Sequence, residues 1–337
     1  MSHTFTNRFG RRTIAGAAVA FLALGLAACG TTESGSGQTG AGTTLTVGTA
    51  PSLSGLGVHG AVAGGEFTKQ GLTVNAVPNK SANDTVPQLL NGQVQIAMMD
   101  TVTFMQARGQ GLPVKIVAPA GLQSTDGGAG VMSAASIVAV DGSNIDAPAG
   151  LVGKKVAVAG IKTQTWMNIR AIVDAAGGDS SKIEFVEVPP AQMVDLLKRG
   201  EVNAAVPNEP LASQAIANSG VHLVHNTDVP GNKGVPSSVY VASEQFIAGN
   251  ADTIDKFAKA MFASAAKVNS DKAFAAKVAE EQLKFTPDKL THAFYQTQGS
   301  EAINPADLDK VASLAVKYQI LPSAPTTADL LHQGSGK

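Results

Sequence analysis

The sequence predicts an α/β protein with two doubly wound lobes that face each other across a cleft. Its first indication is an internal pseudo-repeat, because residues 45–98 and 155–206 each read as strand, helix, strand, helix, strand. The second is composition, since the predicted strands are short and rich in Val and Ile, as is typical of parallel strands buried on both faces. Right-handed crossovers then arrange each repeat as an open sheet covered by helices.

The elements of each repeat follow from apolar runs and the residues that break them. In the first repeat they are the strand Leu45–Gly48, a helix near 58–69, the strand Leu72–Val77, a helix near 84–90 and the strand Val94–Met98. In the second they are the strand Lys155–Ala159, the helix Trp166–Ala176, the strand Ile183–Val188, the helix Gln192–Lys198 and the strand Val202–Val206. Gly92 and Gly200 follow the second helix of each repeat, where a left-handed residue ends a helix.

The remaining elements predict how the lobes are joined. The strands Ser136–Val140 and Ser238–Ala242 fall where the chain would cross between lobes, so a hinge of two crossings is expected. Three later helices, around 254–265, from Thr286 and over Asp307–Tyr318, are expected to pack on lobe 1 because no further strand follows. Lobe 1 then comprises residues 44–138 and 238–337 with the C-terminal helices, and lobe 2 comprises residues 139–237.

The N-terminal residues predict export. Arg8, Arg11 and Arg12 precede an apolar run over 14–28 that is shorter than the about 20 residues of a membrane-spanning helix. Residues 1–28 are therefore expected to be a lipoprotein signal peptide, because Cys29, the only cysteine, ends a Leu-Ala-Ala-Cys sequence that resembles a bacterial lipobox. The alternative is an ordinary signal peptide with an accidental cysteine. Residues 29–43, rich in Gly, Ser and Thr, predict a flexible tether.

Charge and cysteine content exclude some classes of function. Removing residues 1–28 removes three arginines and no acid, which takes the formal net charge from −1 to −4. The chain therefore lacks the basic footprint of a nucleic-acid-binding protein. Lipidation of Cys29 would leave no thiol for disulfides.

The pseudo-repeat also selects candidate ligand-binding loops, because doubly wound sheets bind ligands beyond the carboxyl ends of their strands. These loops are 50–59, 79–84 and 100–103 in lobe 1, and 160–166, 190–192 and 207–210 in lobe 2. The first contains a G-x-G-x-x-G motif, Gly55–Gly60. Since the six residues 49–54, which include Pro51, separate it from the strand, a flexible loop open to a small ligand is favoured over a dinucleotide site.

Other residues of these loops admit two interpretations each. The helix starts at Ser81–Asp84 and Thr163–Trp166 are either plain N-caps or anion sites. Trp166, the only tryptophan, either packs in the core or stacks on a ligand, and His59 either lines the cleft or faces solvent. Asp100 and Glu209 lie on opposite lobes without a nucleophile or base, and Asp100 could accept hydrogen bonds from a ligand. His222 and His225 are three apart on a strand and point to opposite faces, so no metal site is predicted.

Five segments, in a fixed order and spacing between residues 45 and 245, carry a resemblance to a known family. They are Leu45–Gly48, Phe67–Leu72, Leu90–Ala97, Leu151–Val158 and Glu209-Pro210. The chain is similar to the type II periplasmic solute-binding proteins of ABC importers, in the nitrate, sulfonate, taurine and thiamine-pyrimidine-precursor group. The resemblance implies ligand contacts from Ser52, Ser54, His59, Ser81, Asn83, Asp100 and Thr101 in lobe 1, and from Thr163, Trp166, Asn208 and Glu209 in lobe 2.

The resemblance implies a binding protein without a cofactor and not an enzyme. It would close on one small-molecule solute as a monomer and deliver it to an ABC permease and its ATPase, without contact to nucleic acid. It would be lipid-anchored to the outer face of the bacterial cytoplasmic membrane, or periplasmic. The favoured ligand is a small organic anion that is sulfonate-, nitrate- or carboxylate-like, with Lys80 or Lys162 nearby.

Three alternatives stay open. The first is a heteroaromatic amine or pyrimidine-type ligand, stacked on Trp166 and bonded to Asp100 and Glu209. The second is a ligand-sensing lipoprotein for a signalling partner. The third is an enzyme similar to the eukaryotic pyrimidine-precursor synthases of this fold, a group that uses iron and a cysteine-rich motif that the predicted mature chain lacks.

Overall fold

The computed structural model describes residues 43–79, 82–218 and 220–332, without the side chains of residues 82–84. The predicted signal peptide, Cys29 and the tether up to residue 42 lie outside the described residues. The strands are β1 Thr43–Thr49, β2 Leu72–Pro78, β3 Ile96–Asp100, β4 Val114–Pro119, β5 Ser136–Val140, β6 Lys155–Val158, β7 Glu184–Glu187, β8 Ala204–Ala205, β9 Val221–Asn226 and β10 Ser238–Ser243. The α-helices are α1 Leu56–Ala63, α2 Glu66–Lys69, α3 Ala82–Leu90, α4 Thr101–Gly109, α5 Gln164–Ala175, α6 Pro190–Lys198, α7 Leu211–Ala217, α8 Glu244–Gly249, α9 Ala251–Ser270, α10 Lys272–Glu281, α11 Pro287–Leu290 and α12 Pro305–Lys317.

These strands form two five-stranded sheets with the same topology. The first sheet has the order β2-β1-β3-β10-β4 and the second has the order β7-β6-β8-β5-β9. In each sheet the fourth strand of this order is antiparallel to both neighbours, and the remaining pairs are parallel. Gly92 and Gly200 have φ angles of 74° and 75°, as a left-handed helix end requires. The predicted pair of doubly wound α/β lobes is confirmed.

The predicted crossings are themselves strands of the sheets. β5 belongs to the second sheet and β10 to the first, so the chain crosses between sheets in the segments 120–135 and 227–237 that precede them. The expected boundary between residues 138 and 139 falls inside β5. The division of the whole chain into two lobes at given residues stays a prediction.

Five elements, β4, α4, α7, α8 and α10, are not predicted from the sequence. Helix α4 shows the reason most clearly, because Val102, Phe104, Met105 and Ala107 are all buried. A short helix that is buried on several sides lacks the one-sided apolar spacing by which an amphipathic helix is predicted. In the described part of the chain, no helix is long and apolar enough to cross a membrane.

The C-terminal helices contact more of the protein than expected. Helix α9 packs on α1 and α2, next to the first sheet, but α12 packs on both α4 and α5. The Tyr318 hydroxyl at the end of α12 donates to Asp174 Oδ2 at 2.8 Å. The Arg170 guanidinium lies 4.9 Å from the Tyr318 ring and 4.8 Å from the Trp166 ring. Helix α12 therefore also fastens the helix that covers the second sheet.

The G-x-G-x-x-G segment is not a flexible loop, which corrects the prediction. Gly57 and Gly60 lie inside helix α1 and are buried against α9. The Ser264 hydroxyl of α9 donates to the Gly57 carbonyl at 2.7 Å. A Cβ atom at Gly60 would lie 2.7 Å from Ser264 Oγ and 2.8 Å from Val268 Cγ2. These glycines allow two helices to approach closely, and they do not serve a ligand.

We expect Gly60→Ala to destabilise the protein by about 1–3 kcal/mol, because the added methyl group overpacks the contact between α1 and α9. In an open helix interior the same change would stabilise by about 1 kcal/mol. Gly249→Ala is the matched control, since nothing lies within 4 Å of its added Cβ. Urea unfolding of both variants measures the difference, and a gain in stability for Gly60→Ala would contradict the packing argument.

Candidate functional site

A cleft of about 210 Å³ lies between the two sheets, beyond the ends of their strands. The first lobe lines it with Ser52, Ser54 and Asp100, which follow or end β1 and β3. The second lobe contributes Gln164, Thr165, Asn168 and Asn208, and the two crossing segments contribute Ala134, Ala135, Thr227, Asp228 and Ser237. Ligand pockets for drug-sized molecules measure about 300–1,000 Å³. The cleft therefore suits a smaller solute.

Asp100 caps one helix from each lobe. Its Oδ1 accepts hydrogen bonds from the backbone N–H of Thr103 at 2.9 Å and from that of Gln164 at 3.0 Å. The Thr103 hydroxyl donates to Oδ2. Burial raises the pKa of this carboxyl, while the hydrogen bonds act in the opposite direction. The N-terminus of α5, where the sequence allowed a ligand anion, and the N-terminus of α4 thus both meet an internal carboxylate.

Asp228 joins the two crossing segments at the wall of the cleft. Its Oδ2 accepts from the backbone N–H groups of Ser124 and Thr125, both at 2.9 Å, and from the Thr125 hydroxyl at 3.0 Å. Its Oδ1 has no hydrogen-bond partner among the described residues, although Asp228 is only 5% exposed. Burial raises the pKa of this carboxyl. Oδ2 therefore links the two crossing segments, and Oδ1 is available to a solute in the cleft.

Backbone hydrogen bonds tie the crossings together. The Gln123 N–H donates to the Val235 carbonyl at 2.9 Å, and the Gly234 N–H donates to the Gln123 carbonyl at 2.8 Å. A third segment, which precedes α12, joins them through the Leu122 N–H, 2.8 Å from the Thr297 carbonyl. Gln296 Nε2 extends this tie by donating to the Leu122 carbonyl and to Ser237 Oγ. A third segment around Gln296 and Thr297, the third hinge segment, thus pairs with the two predicted crossings.

Several polar groups of the cleft are uncommitted. The hydroxyls of Ser52, Ser54 and Thr165 and the side-chain amide of Asn208 make no hydrogen bond within the described residues. They come from both lobes, so a ligand bonded to them would bridge the lobes. These groups can donate as well as accept, and they set no charge preference.

The charged side chains of the described cleft lining are all acidic. Its described lining contains Asp100 and Asp228 but no Lys, Arg or His. Lys162 lines a separate groove of about 530 Å³ between α3, α4 and the loop 159–163. Asp100 and Gln164 line the cleft and not this groove. Gln106 Nε2 donates a hydrogen bond to the Lys162 carbonyl at 2.9 Å within the groove. Lys80 lies outside the described residues.

The predicted site residues fall into several groups. Ser52, Ser54, Asp100 and Asn208 line the cleft. Thr101 is buried and donates to the Pro236 carbonyl at 2.9 Å, and Thr163 caps α5. Trp166 packs in the core against Phe185 at 5.6 Å and does not line the cleft. His59 is half-buried, with a pKa lowered by burial, and also lies off the cleft. Ser81 and the Asn83 side chain lie outside the described residues.

Glu209 lies beside the cleft rather than in its lining. It is 3% exposed, and the Ser213 hydroxyl donates to its two carboxylate oxygens at 2.8 and 2.9 Å. The Phe294 N–H donates to Oε2 at 3.3 Å, which connects the second lobe to the segment before α12. Burial raises the pKa of Glu209 to about 7. In the described residues, no group of three or more His, Cys, Asp or Glu side chains could hold a metal ion.

Several residues that line the cleft were not predicted as site residues from the sequence. Gln164 and Thr165 lie in the predicted loop 160–166, so the loop was predicted although the side chains were not. Asp228 and Gln296 lie in the crossing and third hinge segments, where no repeat or motif marks them. Their position depends on how distant segments pair.

The family model described as NMT1/THI5 like matches residues 56–271. Among curated protein sequences, none matches the chain.

Solved structures share the fold at low sequence identity. The periplasmic aliphatic sulphonate binding protein SsuA from Escherichia coli has a TM-score of 0.66 at 18% identity, covering 86% of this chain and 98% of that one. The alkanesulfonate-binding protein SsuA from Xanthomonas axonopodis pv. citri, bound to MOPS, has a TM-score of 0.70 at 14% identity, with coverages of 86% and 98%. The nitrate-binding protein NrtA from Synechocystis PCC 6803 has a TM-score of 0.67 at 15% identity, covering 87% of both chains. These likenesses confirm the predicted periplasmic-binding-protein fold.

Glu209 should make the free energy of unfolding depend on pH. Because its pKa rises from 4.5 to about 7 on folding, the folded state holds the proton more tightly than the unfolded state does. The free energy of unfolding should therefore fall as the pH rises from about 4.5 to about 7 and then level off, by up to roughly 3 kcal/mol from this group.

Chemical unfolding of Glu209→Gln between pH 4 and pH 8 measures this contribution by difference from the unaltered chain. We expect the variant to be the more stable protein above pH 7, since its side chain does not ionise. Glu301→Gln, an exposed change of the same kind, should leave the pH profile unchanged. Parallel profiles for the chain and Glu209→Gln would show that burial of Glu209 does not shift its titration.

Proposed function

Because the chain belongs to the NMT1/THI5-like family, as its resemblance predicted, we propose that it is the solute-binding component of an ABC importer and not an enzyme. One observation carries this proposal. The cleft takes its lining from both lobes, from both crossing segments and from the third hinge segment. A solute in the cleft would therefore contact both lobes and all three hinge segments, and these are the parts whose relative positions change when the cleft closes.

Closure on the solute follows from that arrangement. A ligand shifts a conformational equilibrium only through its different contacts in the two states. One wall of the cleft carries Ser52 and Ser54, and the other carries Thr165 and Asn208. A small solute can form hydrogen bonds to both walls at once only when the lobes are close. The hydrogen bond from Gln164 to Asp100 adds a contact between the lobes that does not need the ligand. The solute-bound, closed form is the state that we expect a membrane permease to recognise.

The available observations favour two different ligand classes. The anion favoured by the sequence analysis is supported by the names of the sulfonate-binding and nitrate-binding neighbours. The amine alternative is supported by the cleft itself, since the described lining has two carboxyl groups and no basic side chain. Specificity depends on the site more than on the fold, so we favour a ligand with N–H donors. Stacking on Trp166 is not part of this proposal, because that ring packs in the core.

We place the protein outside the cytoplasm, held to the bacterial membrane by a lipid on Cys29. The charged start, the apolar run and the Leu-Ala-Ala-Cys sequence support this location. Two of the named structural neighbours, the sulphonate-binding protein from Escherichia coli and the nitrate-binding protein, are periplasmic, which agrees with export. An anchored monomer would keep the solute beside its permease and ATPase.

The solute-binding function predicts a one-to-one complex with a small molecule. The protein is unfolded and refolded to remove bound solute, and it is then incubated with a small-molecule extract and weighed by native mass spectrometry. We expect one adduct per chain. Ser54→Phe should abolish the adduct by filling the cleft, while Ser313→Phe on the exposed face of α12 should retain it. Equal adducts in both variants would place the binding site elsewhere.

Lipid anchoring predicts a separate result for Cys29→Ser. This variant should move from the membrane pellet to the soluble fraction and lose incorporation of labelled palmitate, because the oxygen cannot replace the lipidated thiol. Thr31→Ser, two residues further along, should remain in the pellet. Solute binding should be equal in all three proteins. Membrane association of Cys29→Ser would contradict the lipobox interpretation.

A further inference from the structure

We propose that the cleft binds a small cation whose charge is carried by N–H groups, an ammonium or an amidinium, with Asp228 as its charge partner. This inference rests on the proposed solute-binding function and deepens it by naming the ligand class. It differs from the anionic ligands after which the sulfonate-binding and nitrate-binding neighbours are named.

Asp228 provides the first argument. It is 95% buried at the wall of the cleft, and its Oδ1 has no hydrogen-bond partner in the described protein. Its Oδ2 accepts three hydrogen bonds from Ser124 and Thr125, all from neutral donors. No basic side chain forms an ion pair with this carboxylate among the described residues. Oδ1 is accessible from the cleft, and a cationic N–H donor placed on it would make a charge-assisted hydrogen bond in a site partly shielded from water.

Asp100 provides the second argument, because it removes the usual place for an anion. Backbone N–H groups at helix N-termini attract negative charge. At α4 and α5 these groups already donate to Asp100, at 2.9 and 3.0 Å. A ligand anion at the same place would face a carboxylate instead of free donors. The two acids therefore disfavour an anion and favour a cation in the same cleft.

The position of Asp228 adds a role in closure. Its Oδ2 links the second crossing to the first, and the paired backbones of Gln123 and Val235 lie in the same segments. A cation on Oδ1 would neutralise the carboxylate that holds the hinge together. Charge recognition and lobe position would therefore depend on one side chain.

Three fragments of the same shape and different charge test the ligand class. Acetamidinium, acetamide and acetate are added to the refolded full-length protein at matched ionic strength, with nitrate and methanesulfonate as further anions. Thermal unfolding reports binding, because a ligand that binds only the folded state raises the unfolding temperature. We expect acetamidinium to raise it most, and ethylammonium distinguishes an ammonium preference from an amidinium preference.

Asp228→Asn tests the residue. Asparagine keeps an oxygen for Ser124 and Thr125 but loses the charge, so acetamidinium affinity should fall about ten- to a hundredfold. Asp195→Asn, an exposed change on α6, should leave the affinity unchanged. Asp228→Glu keeps the charge and should keep the preference for acetamidinium over acetate. If Asp228→Asn does not fold, the fragment series on the unaltered protein still decides the ligand class.

The outcomes separate this inference from the proposed function. A temperature rise with the anions and none with the cations would overturn the ligand class and leave a solute-binding protein. Equal acetamidinium affinity in Asp228→Asn and Asp195→Asn would overturn the role of Asp228. No response to either cation also contradicts the ligand class, whereas failure of the solute-binding function itself would show as a missing adduct in native mass spectrometry.

Discussion

The pairing of the chain where it passes between the sheets is the constraint on which the rest of the structure depends. Gln123 exchanges two backbone hydrogen bonds with Gly234 and Val235, and Leu122 bonds to the third segment at Thr297. The segments joined by these backbone hydrogen bonds cannot slide past one another without breaking them. The two sheets are therefore held with the ends of their strands facing each other. The cleft exists because the crossings are paired, and not because either lobe forms a pocket alone.

This constraint explains why hinge residues also line the site. Asp228 and Gln296 bond to the crossing backbone with some of their polar atoms, and both residues line the cleft. In a site of this kind the groups that sense the solute and the groups that hold the lobes are partly the same. A contact made by the solute can therefore change the relative stability of open and closed forms without a separate relay.

Local signals predicted the fold, and distant pairing determined the part of the site that was missed. Gly92 and Gly200 mark helix ends by their own chemistry, and the short apolar runs mark strands, so the two repeats could be predicted. Ser52, Ser54 and Asn208 followed from the rule that loops at strand ends bind ligands. Asp228 carries no such mark, because it reaches the cleft only when the segments near 124 and 235 pair. Gly57 and Gly60 were misinterpreted for the same reason, since helix α9, more than 190 residues away in sequence, explains them.

The two buried acids show how one fold can carry different ligand chemistry. The fold matches that of proteins named for sulfonate and nitrate, and the described cleft lining of this chain contains no basic side chain. Asp100 replaces an external anion with an internal one at two helix N-termini, which keeps those backbone donors satisfied whatever the solute is. With the helix ends neutralised in this way, the remaining charge of the cleft is that of Asp228, and under the proposed ligand class one side chain in the hinge, rather than the architecture around it, would select the sign of the solute's charge.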